Sequence, residues 1–229
     1  MTCADPTLLR PALELTVRGW HVFPCTPGDK RPALRGNWQD LATVAPDRIR
    51  VWWTRRPYNV GIACGPSGLA VIDLDVSRDG YTSTALEADL LTSGADAFAA
   101  LCREHGEPFP PDAFSVDTPS GGRHFYFAVS DRTVRNWAGH LGPHIDVRAD
   151  GGYVIAPGSR IGRRAYRVRD SASLARRRPR AGRAALVRRQ STGEHRSRRH
   201  PAALRRTRCS GRHAGTRSLA GASPAHSLP

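Results

Sequence analysis

The sequence predicts an α+β fold. Three helical patterns fall within the first 105 residues, five short strand-like runs crowd between Phe114 and Val168, and helices and strands do not alternate regularly as a doubly wound sheet requires. At 229 residues with 39% hydrophobic content the chain is long enough to bury one sizeable core.

Leu8, Leu9, Ala12, Leu13 and Val17 recur at helical spacing after Pro6, and Gly19 follows as a stop signal, so the chain opens with a helix. Trp20 to Phe23 reads as a strand. Pro24 to Gly36, rich in Pro, Gly and charge, is a loop that bears Lys30, the only lysine in the chain. Pro46 to Trp53 is a short helix with proline in its first turn. Asn59 to Ala63 and Leu69 to Val76 are strands joined by Cys64-Gly-Pro-Ser-Gly68, and the turn-forming linker predicts that they pair as a hairpin. From Ser83 to His105 the pattern is helical again, with Gly94 as a break. Strands follow at Phe114 to Thr118, His124 to Val129, His144 to Arg148, Tyr153 to Ala156 and Ala165 to Val168.

Charge divides the chain at residue 170. Residues 1 to 170 carry 20 Lys and Arg against 19 Asp and Glu, whereas residues 171 to 229 carry 15 Arg, no Lys and a single acid. Nearly all of the net charge of +15 therefore belongs to the last quarter, and the first part has no overall basic footprint for nucleic acid. The last quarter has no aromatic residue and too few large aliphatics to bury a core, so it is expected to be disordered. It reads as a basic nucleic-acid-binding tail, as a solvated linker, or as a segment translated out of frame. The abruptness of the switch favours the third. Two units result: a catalytic domain at 1–170 and an Arg-rich tail at 171–229.

Five cysteines, at positions 3, 25, 64, 102 and 209, show no metal-ligand spacing, and their odd number argues against a disulfide framework. There is no long apolar run and no leader-like N-terminus. A cytoplasmic protein with no membrane partner is expected.

Three segments carry chemistry. In Val71-Ile-Asp-Leu-Asp-Val76, strand alternation sends Asp73 and Asp75 to one face and Ile72, Leu74 and Val76 to the other. Paired carboxylates repel unless cations compensate, and their hard oxygens suit Mg²⁺ or Mn²⁺; the alternative is an exposed strand end with two solvated acids. In His144-Ile-Asp-Val-Arg148 the same alternation aligns Asp146 with Arg148. Asp146 can complete a three-carboxylate site, and Arg148 can hold phosphate or simply pair with the acid. In Thr118-Pro-Ser-Gly-Gly-Arg-His124, small residues let backbone approach a ligand, and Ser120, Arg123 and His124 offer donors to a triphosphate; the alternative is an ordinary turn with a surface histidine. Trp52 and Trp53 are assigned to the core rather than to base stacking.

Taken in order, these segments resemble the N-terminal domain of bifunctional DNA primase/polymerases, of the archaeo-eukaryotic primase superfamily. The likeness runs from Gly19-Trp20 through Lys30-Arg-Pro32, Trp52-Trp53, Asn59-Val-Gly-Ile62, the Asp73/Asp75 strand, Gly121-Gly-Arg-His124 and Ile145-Asp-Val-Arg148 to Gly151-Gly-Tyr-Val-Ile-Ala-Pro-Gly-Ser159. The resemblance implies a catalytic core with an RNA-recognition-like mixed or antiparallel sheet beside a second small α/β subdomain. It implies that Asp73, Asp75 and Asp146 bind the catalytic metals, that His124 contacts the incoming nucleotide, and that Arg148, Ser159 and Lys30 line the nucleotide pocket. The serine usual two residues before that histidine is Gly122 here. Implied partners are a single-stranded DNA template and primer, nucleoside triphosphates, and a replicative helicase domain or protein. Family members continue past a segment like Tyr166-Arg-Val168 into a further helix, so the Arg-rich tail is read as a truncation or a frame change near residue 175. The competing readings are a non-catalytic nucleic-acid-binding or replication-initiation module and a metal-dependent phosphoesterase that uses the same three acids.

Overall fold

Leu9–Val17 forms helix α1, which buries Ala12 and Leu15 and ends where the Arg18 and Gly19 amides bond the carbonyls of Leu15 and Thr16, with Gly19 at φ +79°. Val17 is 89% exposed and takes no part in the core. The computed structural model describes residues 8–76, 93–110, 113–129, 134–138 and 141–169, all within the first of two compact units, Met1–His195. The Arg-rich tail, residues 83–92 of the helix expected over Ser83–His105, Cys3 and Cys209 lie outside the described residues.

After α1 come β1 (Val22–Cys25), α2 (Trp38–Leu41), α3 (Pro46–Arg55), β2 (Asn59–Ala63) and β3 (Leu69–Leu74). Pro46 sits at the start of α3, where its missing N–H costs nothing, and the helix buries Ile49 and Trp53. The Trp53 indole N–H donates to the Tyr58 carbonyl at 2.9 Å, which places Trp53 in the core as expected. Helix α2 was not expected; Asn37 caps it by accepting the Gln39 N–H at 3.1 Å.

The remaining elements are α4 (Gly94–Glu104), β4 (Ser115–Asp117), β5 (Arg123–Ala128), β6 (Trp137–Ala138), β7 (Ile145–Arg148), β8 (Tyr153–Ile155), β9 (Arg160–Ile161), β10 (Arg164–Ala165) and β11 (Arg167–Val168). Gly94 does not interrupt a helix among the described residues but begins one, behind the Ser93 cap. A side chain there would run into the His144 carbonyl oxygen and crowd the Asp75 backbone, so only glycine admits this approach.

The strands form a three-stranded sheet in the order β1-β2-β8, a six-stranded sheet in the order β11-β4-β5-β3-β7-β6, and the hairpin β9-β10, with every ladder antiparallel. This mixture of few helices with antiparallel sheets is the expected α+β class. The expected β2–β3 hairpin does not form. β2 pairs with β1 and β8 while β3 pairs with β5 and β7, so the tight turn at 64–68 carries the chain from one sheet to the other. Both strands are almost continuously buried, and a lone hairpin leaves at least one face open; each strand needs its own sheet to cover both faces.

Two apolar clusters result. One gathers α1, α3, the three-stranded sheet and Leu69, Val71, Val116 and Tyr126. The other packs Ala97, Phe98 and Cys102 of α4 against Ala70, Ile72, Leu74, Phe125, Phe127, Ile145 and Val147. Strand β3 contributes alternate residues to each cluster, so its two faces meet different environments and Asp73 falls on the face away from α4.

Candidate active site

Strands β5, β3 and β7 lie side by side, and their register aligns three polar residues in one row. Asp73 stands directly opposite His124 on one neighbour and opposite Asp146 on the other. Directly opposed residues of antiparallel strands project to the same face. Val129 N–H bonds the Gly68 carbonyl, so by alternation Asp73 and His124 are a non-hydrogen-bonded pair, the kind whose side chains approach more closely. The His124 Nε2–H accordingly reaches Asp73 Oδ1 at 3.3 Å, with only 5% of the imidazole exposed. Asp75, exposed just past the end of β3, continues toward the neighbouring strand β7, its backbone N–H donating to the His144 carbonyl at 2.9 Å.

Arg148, one step along the same face of β7, supplies the counter-charge. Its Nη2 donates to Asp146 Oδ2 at 2.6 Å and its Nε lies 3.8 Å from Asp73 Oδ2. One guanidinium thus spans carboxylates of two strands. Burial works to raise the Asp73 carboxyl, but the His124 hydrogen bond and charge, with Arg148 and Lys30, outweigh it and hold the group below the ordinary carboxylate value. Asp75 is displaced upward, first by burial and then by the negative charge of Asp73 and of Asp146, against the opposing pull of Lys30 and Arg148. The three carboxylates therefore share one electrostatic neighbourhood, and Lys30 belongs to it from a loop of the other sheet. That loop is fixed by Tyr153, whose hydroxyl donates to the Lys30 carbonyl at 3.1 Å, and by Asn59, whose Nδ2 donates to the Asp29 carbonyl at 2.9 Å.

Among the described residues, no group of three His, Cys, Asp or Glu side chains is drawn together as a ready-made metal cage. Arg148 lies across Asp73 and Asp146, and Asp75 is exposed just past the end of β3. The donor set still fits a hard divalent cation, because three carboxylates share one electrostatic neighbourhood and a single guanidinium compensates two of them.

The family model described as the bifunctional DNA primase/polymerase N-terminal domain, Prim-Pol, matches residues 12–182. The chain belongs to this family. The match spans both sheets and ends beyond Asp170. No curated protein matches the chain. No helix among the described residues is long and apolar enough to cross a membrane.

In this Prim-Pol domain the residues read from sequence separate into two groups. Asp73, Asp75, Asp146, His124, Arg148 and Lys30 come together. Ser120 sits on the adjoining turn, its hydroxyl 2.9 Å from that of Thr118. Arg123 does not join them: as the neighbour of His124 on β5 it points to the opposite face, where it pairs with Asp117 at 3.1 Å and lies over the Phe125 ring. Ser159 is fully buried, and its Oγ accepts the Val60 N–H at 3.0 Å; it fastens two backbone segments rather than lining an open pocket. The departure at Gly122 is steric. A side chain there would collide with the Leu74 carbonyl oxygen and come within 3.2 Å of Thr118 Oγ1 and 3.3 Å of the Asp75 Cα, so the turn carrying Ser120 packs directly on the acid-bearing strand only because this residue is glycine.

Sequence reasoning missed the aromatic walls. The Tyr166 ring lies 5.7 Å from the His124 ring, and its hydroxyl is pushed to a higher pKa by burial and by the charges of Asp73 and Asp75. The Tyr126 ring lies 6.2 Å away on the other strand position of the same face. Neither the buried Tyr126 hydroxyl nor His124 Nδ1 finds a hydrogen-bond partner among the described residues. Tyr166 was legible only as part of a strand, since nothing in a lone Tyr-Arg-Val run marks it for a site.

Proposed function

We propose that this Prim-Pol domain is a template-directed nucleotidyltransferase that extends or initiates a strand on single-stranded DNA, in the service of DNA replication. The observation that carries the proposal is the row His124–Asp73–Asp146, with Asp75 one step on, facing Arg148 and Lys30. Asp73, Asp75 and Asp146 are the residues to hold two Mg²⁺ or Mn²⁺ ions. Such a pair of cations lowers the pKa of an attacking 3′-hydroxyl and neutralises the triphosphate as pyrophosphate leaves.

The chain's own side chains do the rest. His124, its imidazole nearly buried between Asp73 and the flanking tyrosines, is assigned as a contact of the incoming nucleotide. Arg148, which bridges Asp73 and Asp146, would be the guanidinium nearest the phosphate oxygens, for which its planar fork is suited, if bound cations compensated those acids. Lys30 approaches from the opposite loop as a point charge for the triphosphate. Ser120 adds a hydroxyl at the turn. Arg123 and Ser159 take no part in this scheme. In-line displacement requires placement and charge neutralisation more than proton transfer, which fits a site rich in paired charges. The three-stranded sheet with α1 and α3 is read as the second subdomain, residues 1–170 as the catalytic domain, and a replicative helicase, fused or separate, as the partner such an activity serves.

The test is primer extension with Mg²⁺ or Mn²⁺ by the Asp73→Ala variant, alongside its thermal unfolding. Extension should disappear while cooperative unfolding persists. An Asp73→Ala protein that extends a primer as fast as the parent overturns the assignment, and release of nucleotides from DNA in place of incorporation points to a phosphoesterase.

A further inference from the structure

The hairpin β9–β10 carries Arg160, Arg163 and Arg164, all exposed, around Gly162 at φ +54°. Its position is fixed on both sides of the candidate site. On one side Arg160 N–H donates to Asn59 Oδ1 at 3.0 Å, and Asn59 Nδ2 donates to the Arg160 carbonyl at 2.8 Å and to the Asp29 carbonyl beside Lys30. On the other, Arg164 Nη1 donates to the Pro119 carbonyl at 3.3 Å, on the turn that bears Ser120 and packs on Asp75. The next residue but one is Tyr166, against His124. The hairpin therefore spans the rim between the Lys30 loop and the glycine turn.

Its charges are uncompensated. Arg31, Arg123, Arg148 and Arg169 each pair with an aspartate, but Arg160, Arg163 and Arg164 form no ion pair with an acid among the described residues. Two of the three guanidinium groups are nevertheless held in place by backbone acceptors, Arg160 Nη2 by the Arg163 carbonyl at 2.8 Å and Arg164 Nη1 by Pro119. Ordered, unpaired guanidinium groups on a rim lose little side-chain freedom on meeting phosphate. The hairpin has no aromatic side chain to stack on a base, so the chemistry it can recognise is a phosphate backbone rather than a base sequence. Lys30 and Arg148 already supply cations within electrostatic reach of the acids, where the nucleotidyltransferase reading would put a triphosphate.

We propose that the β9–β10 hairpin grips the sugar–phosphate backbone of the DNA strand entering the site, through Arg160, Arg163 and Arg164. The inference rests on the nucleotidyltransferase reading for the identity of its partner. The test uses the full chain with the triple substitution Arg160→Gln, Arg163→Gln and Arg164→Gln, checked first for unchanged thermal unfolding. Anisotropy titrations with a primer–template oligonucleotide across a salt series should show DNA affinity reduced at least about tenfold and the slope of log K against log salt shallower by about 2–3. The Arg-rich tail is common to parent and variant, so the difference reports the hairpin. In primer extension the KM for primer–template should rise while kcat at saturating DNA holds, and Mn²⁺-dependent nucleotide binding should be unchanged. DNA affinity and salt slope equal to the parent's overturn the proposal, as does a loss confined to nucleotide binding, which would assign the hairpin to the triphosphate. If the parent fails to extend primers yet its DNA binding depends on these arginines, the catalytic reading falls and the hairpin's role stands.

Discussion

Arg148 occupies the place where a cation would compensate Asp73 and Asp146, and removing its charge should make that place more receptive. The guanidinium is 31% exposed and its acid partners 16% and 22%, so screening is substantial but not that of bulk water. Two unit charges about 4 Å apart interact by about 1 kcal/mol under water-like screening and about 4 kcal/mol at the screening typical near a protein surface. A divalent ion beside the same acids would feel about 2 kcal/mol of repulsion from the guanidinium even in the weaker case. Part of that is avoided when the long side chain swings away, so Arg148→Gln should tighten Mn²⁺ binding about tenfold, or about 1.4 kcal/mol. Without metal the same variant leaves Asp73 and Asp146 directly opposed with no shared counter-charge, a like-charge cross-strand pair worth up to about 1 kcal/mol of destabilisation, or a fall in Tm of about 2–4 °C. Calorimetric titration with Mn²⁺ and thermal unfolding at fixed Mn²⁺ read both effects: a lower starting Tm and a larger rise on adding metal. Mn²⁺ affinity in Arg148→Gln equal to or weaker than the parent's would refute the reasoning, because the guanidinium would then not compete for the carboxylates.

Two further outcomes are expected. Asp73 has a folded pKa below its unfolded value of about 3.9, so its ionised form stabilises the fold above that pH and the contribution is lost as pH falls through the depressed value; Asp75 has a raised folded pKa, so its ionised form is a penalty that is full at neutral pH and disappears as pH falls. In metal-free urea unfolding, Asp73→Asn should therefore lower the midpoint at pH 7 and Asp75→Asn should raise it, with both differences shrinking at acid pH; the opposite order contradicts the assigned charges. Gly122→Ser should cost about 1–3 kcal/mol of stability through collision with the Leu74 carbonyl, and an unchanged urea midpoint would show that the turn yields freely.

Period-two alternation carried much of the site. It placed Asp73 with Asp75, and Asp146 with Arg148, before any fold was known, because side-chain direction along a strand is local information. The same rule, applied to β5, separates Arg123 from His124, and the pairing of Arg123 with Asp117 follows it. What local reading does not contain is adjacency between distant strands. That Asp73 faces Asp146 across one ladder and His124 across another depends on the register of segments about 50–70 residues apart. The β2–β3 hairpin failed for the same reason: a turn-rich linker shows that the chain reverses, not which strands accept its hydrogen bonds. Ser159 was assigned to a pocket by resemblance, yet its neighbour is a backbone amide 99 residues away. Helix α2 left a trace that was overlooked, since Asn37 followed by Asp40 within the first turn is a capping signal.

All three strands that bear the row of charged residues are interior to the six-stranded sheet, each held by ladders on both edges, while the sheet terminates in β11 and β6, two residues apiece. Amide hydrogens beneath the carboxylates should thus be among the slowest in the molecule to exchange with solvent. The carboxylate-bearing floor is thereby the part of the sheet with least freedom to change shape. On the nucleotidyltransferase reading, discrimination between one sugar or one strand and another would fall to the surrounding loops, which can diversify without disturbing that floor.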